Sequence, residues 1–139
     1  MSVITSIKQL KENNFFIFLP RSNRLEPIKV NFEVNLDDLL EINHQKDIVL
    51  KNTKNFLKDK FSNNILLWGA KGMGKSSLVK CVVDYCNKEL NEDLKMLEVL
   101  NNNIEDLIDI VHQLSKYKYK FIIFIDDISF KDNDDNFSL

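Results

Sequence analysis

Glycine is scarce in this sequence: 139 residues hold three, and Gly69, Gly72 and Gly74 all lie within one six-residue window. Turns elsewhere must be made without it, and Asn63-Asn64 and Asn101-Asn102-Asn103 are the candidates, because Asn tolerates the left-handed region. Cysteine is equally sparse. Cys81 and Cys86 stand five apart on a predicted helix and point in different directions, which excludes a metal clamp or a disulfide between them there. They read as small core residues in a reducing compartment. No apolar run approaches the ~18 residues that a membrane-spanning helix needs. Residues Met1 to Lys8 lack the layout of a signal peptide, so a cytoplasmic protein with no membrane partner is expected. Positive charge is not in excess either. Lys and Arg number 19 against 21 Asp and Glu, and the net charge of −2 gives no footprint for non-specific nucleic-acid binding.

What is present is an ordinary globular balance, 44% hydrophobic and 29% charged, at a length that suits one domain with a real core. The glycines mark its most informative stretch. Gly69-Ala70-Lys71-Gly72-Met73-Gly74-Lys75-Ser76 is G-x-x-x-x-G-K-S, preceded by the apolar run Ile65-Leu66-Leu67-Trp68 and followed by a helical pattern at Ser77-Leu78-Val79. Glycines let the backbone take φ > 0 and approach an anion closely, so that successive N–H groups and the positive end of the next helix surround a phosphate chain. At this spacing Lys75 reaches the β- and γ-phosphates and the Ser76 hydroxyl ligates Mg²⁺. The plain alternative is a strand-to-helix turn without a ligand. Against it, glycine is confined to the place where a Cβ would collide with a phosphate.

Val3, Ile4, Ile7 and Leu10 stand at helical spacing, and Phe15 to Leu19 is a strand-like run stopped by Pro20. Arg21-Ser22-Asn23-Arg24 is turn-forming. After Pro27, Ile28, Val30, Phe32 and Val34 alternate with polar residues at the period of a half-buried strand. Residues 1–34 are therefore predicted to form a small, hairpin-like N-terminal extension ahead of a core over 35–139. Asn35 caps a short turn bearing Asp37 and Asp38. A helix over about His44 to Lys60 sets Ile48, Val49, Leu50, Phe56 and Leu57 against a face of Lys46, Lys51, Lys54 and Lys58, which in an acidic chain reads as solvated.

From Ile65 onward strand and helix alternate. The spacing predicts a helix from Lys75 to about Leu90, apolar at Leu78, Val79, Val82, Val83, Tyr85, Cys86 and Leu90, then a strand over Met96 to Leu100. Asn103 caps a further helix with Glu105 and Asp106 in its first turn and a stripe of Ile104, Leu107, Ile108, Val111 and Leu114. Phe121 to Ile125 is an unbroken apolar run, typical of a strand buried on both faces. The order βαβαβ predicts an α/β fold with a parallel sheet and right-handed crossovers. Ligands in such sheets bind at the carboxyl ends of the strands, and the last strand ends in Asp126-Asp127. Asp126 thereby comes beside the glycine window, where Mg²⁺-nucleotide chemistry needs a carboxylate that holds the metal. Asp127 is the candidate that orients or deprotonates an attacking water. His44 and His112 are lone histidines, and the latter reads as a surface or packing residue.

The stretch from Asn63 to Lys80, taken with Phe124-Ile125-Asp126-Asp127-Ile128-Ser129-Phe130, resembles a bacterial family of AAA+-type P-loop ATPases filed under a domain of unknown function. The similarity extends back through Leu36-Asp37-Asp38-Leu39-Leu40 and Asn52 to Leu57, covering roughly Leu25 to the end. The resemblance implies a parallel-sheet P-loop NTPase with Mg²⁺ and ATP as cofactors. Gly69 to Ser77, including Lys71, Met73 and Ser77, would form the Walker A site, and Asp126 and Asp127 the Walker B pair. Lys75 and Asp127 would then be catalytic, Ser76 and Asp126 metal-binding, and Leu40 to His44 near the adenine. An unknown protein partner and, for a complete core, self-association into an oligomer are also implied.

Many AAA+ enzymes carry Asp-Glu where this chain has Asp-Asp, as do relatives of replication initiators and helicase loaders. No counterpart of the sensor-1 residue, the arginine finger or the helical lid follows, so a core truncated after the Walker B strand is expected, binding nucleotide without measurable turnover. In the AAA+ arrangement a further strand inserts between the Walker A and Walker B strands. With that strand missing, Ile65–Trp68 and Phe121–Ile125 are expected roughly 10 Å apart across an empty slot.

Rival readings are distinguishable. A small P-loop kinase would pair those two strands directly, but kinases of that sort place catalytic arginines in a lid, and this chain has only Arg21 and Arg24, far upstream. A GTP-binding switch needs an Asn-Lys-x-Asp-like base reader, and Asn87-Lys88-Glu89-Leu90 lacks the aspartate. A nucleotide-binding interaction module without catalysis remains open.

Overall fold

Five consecutive apolar residues suit a strand only where both faces are covered. In the computed structural model, which describes residues 5–30, 43–59, 64–70, 75–100 and 104–126, Phe121 to Ile125 form the heart of β5 (Lys120–Asp126), each at most 2% exposed. Four other strands share its sheet: β1 (Phe15–Leu19), β2 (Arg24–Pro27), β3 (Ile65–Ala70) and β4 (Leu94–Leu100). Their order is β2-β1-β4-β5-β3, parallel throughout except for the β1–β2 pair. The chain is thus α/β with a mostly parallel five-stranded sheet, an architecture compatible with a P-loop-like fold.

Helix α3 (Lys75–Glu89) carries the chain from β3 across β5 to β4, and α4 (Ile104–Leu114) returns it from β4 to β5. Two crossovers of one hand that run in opposite directions must lie on opposite faces. On one face Leu78, Val79, Val82, Val83 and Cys86 of α3 pack with Met96, Ile122 and Phe124, joined by Val49, Phe56 and Leu57 of α2 (Asn43–Lys58). On the other, Ile110 and Leu114 of α4 pack with Leu97, Val99, Phe121, Ile123 and Ile125. Leu107, Ile110, Val111 and Leu114 form the inward stripe of α4, whereas Ile108, predicted to belong to it, is 64% exposed. Both Ile108 and Ile110 fit an i, i+3, i+4, i+7 pattern, and packing on the sheet takes Ile110.

The front of the chain joins the same sheet and core. Ser6 caps α1 (Ile7–Glu12), its hydroxyl accepting from the Gln9 N–H at 3.1 Å, so the helix starts later than the Val3 spacing suggested. β1 lies where expected, but the strand facing it begins at Arg24, ahead of the alternating run: Leu19 stands opposite Arg24, Asn23 at φ 52° turns the chain back, and Ile28 donates its N–H to the Phe15 carbonyl at 2.9 Å. Residues 31–42, which hold the rest of that run and the Asn35 turn, lie outside the described residues. Leu10, Phe16, Phe18 and Leu25 belong to the core cluster of Ile123, and β1 pairs in parallel with β4.

Asparagine does replace glycine in the left-handed region, at Asn23 and at Asn91 (φ 56°). Asn91 follows α3, and its turn leaves Leu90, expected in the buried arc, 37% exposed beyond the helix end. Asn64 acts otherwise. Its side-chain amide donates to the carbonyls of Leu114, Tyr117 and Tyr119 at 3.1–3.2 Å, tying the start of β3 to the α4–β5 connection.

The expected empty slot does not exist. β3 and β5 pair directly, from Ile65 opposite Phe121 to Ala70 opposite Asp126. A slot would leave the facing N–H and C=O groups of two strands unpaired, at about 1–3 kcal/mol for each buried group, and direct pairing satisfies them. Direct pairing is what the kinase reading, and not the AAA+ arrangement, led one to expect.

Thr53 on α2 is 1% exposed, and its hydroxyl has no hydrogen-bond partner among the described residues. Thr53→Val keeps the β-branched shape and removes the unpaired group, so urea titration is expected to show stability raised by about 1 kcal/mol. A loss of stability would mean that the hydroxyl is bonded.

Candidate functional site

β3, β5 and β4 reach the carboxyl edge of the sheet in one row, with Asp126 opposite Ala70 on one side and Leu100 on the other. Strands that pair in this way lie about 4.8 Å apart. β3 departs to α3 on one face and β4 to α4 on the other, so β5 ends between two chains leaving in opposite directions. Open α/β sheets form their binding crevice at such a point. The backbone of Asp126 is therefore next to the residue from which the glycine window leaves the sheet.

Gly69 is exposed and lies within β3, so the connecting loop begins only after Ala70. Lys71, Gly72, Met73 and Gly74 lie outside the described residues, as do Asp127 and residues 36–42. Lys75 is the first residue of α3 and Asp126 the last of β5; for both, as for His44, only the backbone is described. Ser76 is half-buried on the first turn of α3, and Ser77 is exposed. His112 is exposed on α4, in keeping with a surface role.

Ser76 meets a residue that sequence reasoning missed. Its Oγ donates to Oε1 of Glu98 at 3.0 Å, and the Lys80 ammonium contacts the same oxygen at 2.5 Å. Ser76 and Lys80 are i, i+4 neighbours on one face of α3, so a single carboxylate can hold both. Glu98 sits on β4, one row in from Val99 and two from Leu100, opposite Phe124 of β5 and Ile17 of β1. Its side chain is 20% exposed and that of Lys80 22%. The available signal was a carboxylate within an otherwise apolar strand end, Met96-Leu97-Glu98-Val99-Leu100.

The arginines are nearer than their sequence positions suggested. Because β1 runs parallel to β4, the turn after Leu19 lies at the same carboxyl edge, with β4 and β5 standing between β1 and β3. Arg24 there pairs with Glu26 at 3.6 Å on the exposed surface. No group of three or more His, Cys, Asp or Glu side chains suited to a metal occurs among the described residues, nor is any described helix long and apolar enough to cross a membrane.

A family model described as "Protein of unknown function (DUF815)" matches residues 11–138, and the chain belongs to that family. No curated protein and no solved structure matches it.

The two cysteines on α3 are buried thiols, not joined in a disulfide. Burial, then the Asp84 charge, raises the Cys81 thiol; burial, then Glu92, pushes Cys86 up to about 11, with Lys54 opposing. Neither is a nucleophile at neutral pH. An unfolded Cys86 ionises near the ordinary 9.0 while the folded one holds its proton to about 11, so stability is full below 9.0 and falls as pH rises across that window. A thiol-specific reagent at pH 8 should label neither cysteine of the folded chain and both in denaturant. Rapid labelling of the folded protein would show that α3 opens locally.

Proposed function

We propose that this family member binds Mg²⁺-ATP at a phosphate loop following β3, and that it works as an AAA+-type ATPase coupling nucleotide binding or hydrolysis to the switching or remodelling of a partner. One observation carries the nucleotide part: G-x-x-x-x-G-K-S connects a parallel strand to a helix N-terminus, and the neighbouring parallel strand ends in Asp126, level with Ala70. The donor set fits the ligand chemically. Loop N–H groups and the α3 dipole suit a polyanion, and Lys75 adds a point charge for the β- and γ-phosphates. Ser76 and Asp126 supply hard oxygen ligands for Mg²⁺, the latter usually through water. Asp127 would hold or orient an attacking water. The bound metal supplies charge neutralisation on the phosphates when present.

The AAA+ part rests on the resemblance of the loop and the Asp126-Asp127 strand, and the direct β3–β5 ladder weighs against it. That ladder favours a second reading, a small P-loop kinase that passes phosphate to an acceptor. The two differ in product. An ATPase releases inorganic phosphate from ATP alone, whereas a kinase transfers label from ATP only when an acceptor is supplied.

Lys75→Ala is expected to abolish Mg²⁺-ATP binding in calorimetry while circular dichroism stays unchanged, because the ammonium interacts with the phosphates far more strongly than with the apo protein. Equal affinity in mutant and wild type would sink the phosphate-loop reading. Asp126→Asn should weaken ATP binding in Mg²⁺ more than in EDTA, since the carboxylate acts through the metal. Equal losses would remove Asp126 from the metal site.

A further inference from the structure

We propose that Glu98, set by Lys80, is a positioning residue that orients the Ser76 hydroxyl for the metal, an inference that rests on the nucleotide-site reading. A hydroxyl has one proton and two lone pairs. When it ligates a cation it gives a lone pair, and its proton must turn away from the positive charge toward an acceptor. Glu98 is that acceptor. Its Oε1 accepts the Ser76 hydrogen bond at 3.0 Å, which leaves the lone pairs of Oγ free for a cation. The bond and a metal ligation are therefore compatible, and neither must break for the other to form.

Three features suit Glu98 to this work. An ionised carboxylate is an acceptor only, so the direction of the hydrogen bond is unambiguous. Glu98 is carried by a strand that pairs on both sides, which holds its backbone in place. Its row is two residues short of the edge row of Ala70, Asp126 and Leu100, roughly 7 Å along the strand, so it acts from behind Ser76 rather than on the phosphates. Lys80, one helical turn beyond Ser76, meets the same oxygen and offsets a negative charge that would otherwise oppose a polyanion. The competing role is a staple that fastens α3 to β4 and nothing more.

The experiment is calorimetry of ATP binding to the 139-residue chain in Mg²⁺ and in EDTA, with wild type, Ser76→Ala, Glu98→Met, Glu98→Gln and the Ser76→Ala/Glu98→Met double variant. Removing a group that orients a metal ligand costs about 10–100-fold in metal affinity. Glu98→Met should accordingly lower the Mg²⁺-dependent gain in ATP affinity by about tenfold or more without lowering the affinity in EDTA. In the Ser76→Ala background it should lower the gain no further. Glu98→Gln keeps a carbonyl acceptor and should keep most of the gain, which also tests the proposal if the methionine variant fails to fold.

Equal losses in Mg²⁺ and EDTA, an added loss in the Ser76→Ala background, or a glutamine variant as impaired as Ser76→Ala would each overturn the role and leave the staple. Wild-type chain that binds ATP in a Mg²⁺-dependent way, with Glu98 variants unaltered, removes this inference alone. Wild type that binds no ATP under either condition removes the nucleotide site and this inference together.

Discussion

Phe121 to Ile125 must be covered on both faces and paired on both edges, because apolar side chains are driven out of water and the backbone buried with them must find hydrogen-bond partners. β3 and β4 supply the edges, and α3 and α4, with α2, supply the cover. Much else follows from that demand. β5, placed between β4 and β3, forces the β3-to-β4 crossover to step over it and the β4-to-β5 crossover to step back. The two helices then lie on opposite faces, and the strand between their departures ends in the aspartate.

Direct pairing of β3 with β5 has a second consequence. β3 is an edge strand among the described residues, and Leu67 on it is 50% exposed while Ile65 is buried. The strand is held there by its ladder and, at its start, by the Asn64 amide on three carbonyls of the α4–β5 connection. This anchoring sets the register that brings Ala70 level with Asp126. A slip of one residue would turn Leu66 and Trp68 away from the α3 face, so register and core packing enforce each other.

At the other side of β5, the strand β4 carries one carboxylate toward the first turn of α3. A half-buried carboxylate needs partners, and Ser76 and Lys80 provide them from successive turns of one helix. The start of α3 is thus tied to the strand next to the one that ends in Asp126. α3 and β4, already joined where Asn87 bonds the backbone of Leu94, gain a second directional link near the carboxyl edge, and direction is what a metal or phosphate site requires.

Much of the local structure was legible in the sequence. Helical spacing, the unbroken run at β5 and the G-x-x-x-x-G-K-S window between a strand and a helix depend on neighbours in the chain, and α3, α4, β1, β3 and β5 formed close to where those signals stood. Partner choice was not legible, because it depends on what lies across space. Nothing local showed that the strand facing β1 begins at Arg24, or told Ile110 from Ile108 as the inward residue. The β3–β5 pairing was decided by the need to satisfy two strands' backbone groups at once, and it overruled a spacing inferred from a resemblance. Glu98 belongs with these: in sequence it is one acidic residue in a strand, and only the packing of α3 on β4 brings it to the hydroxyl of Ser76.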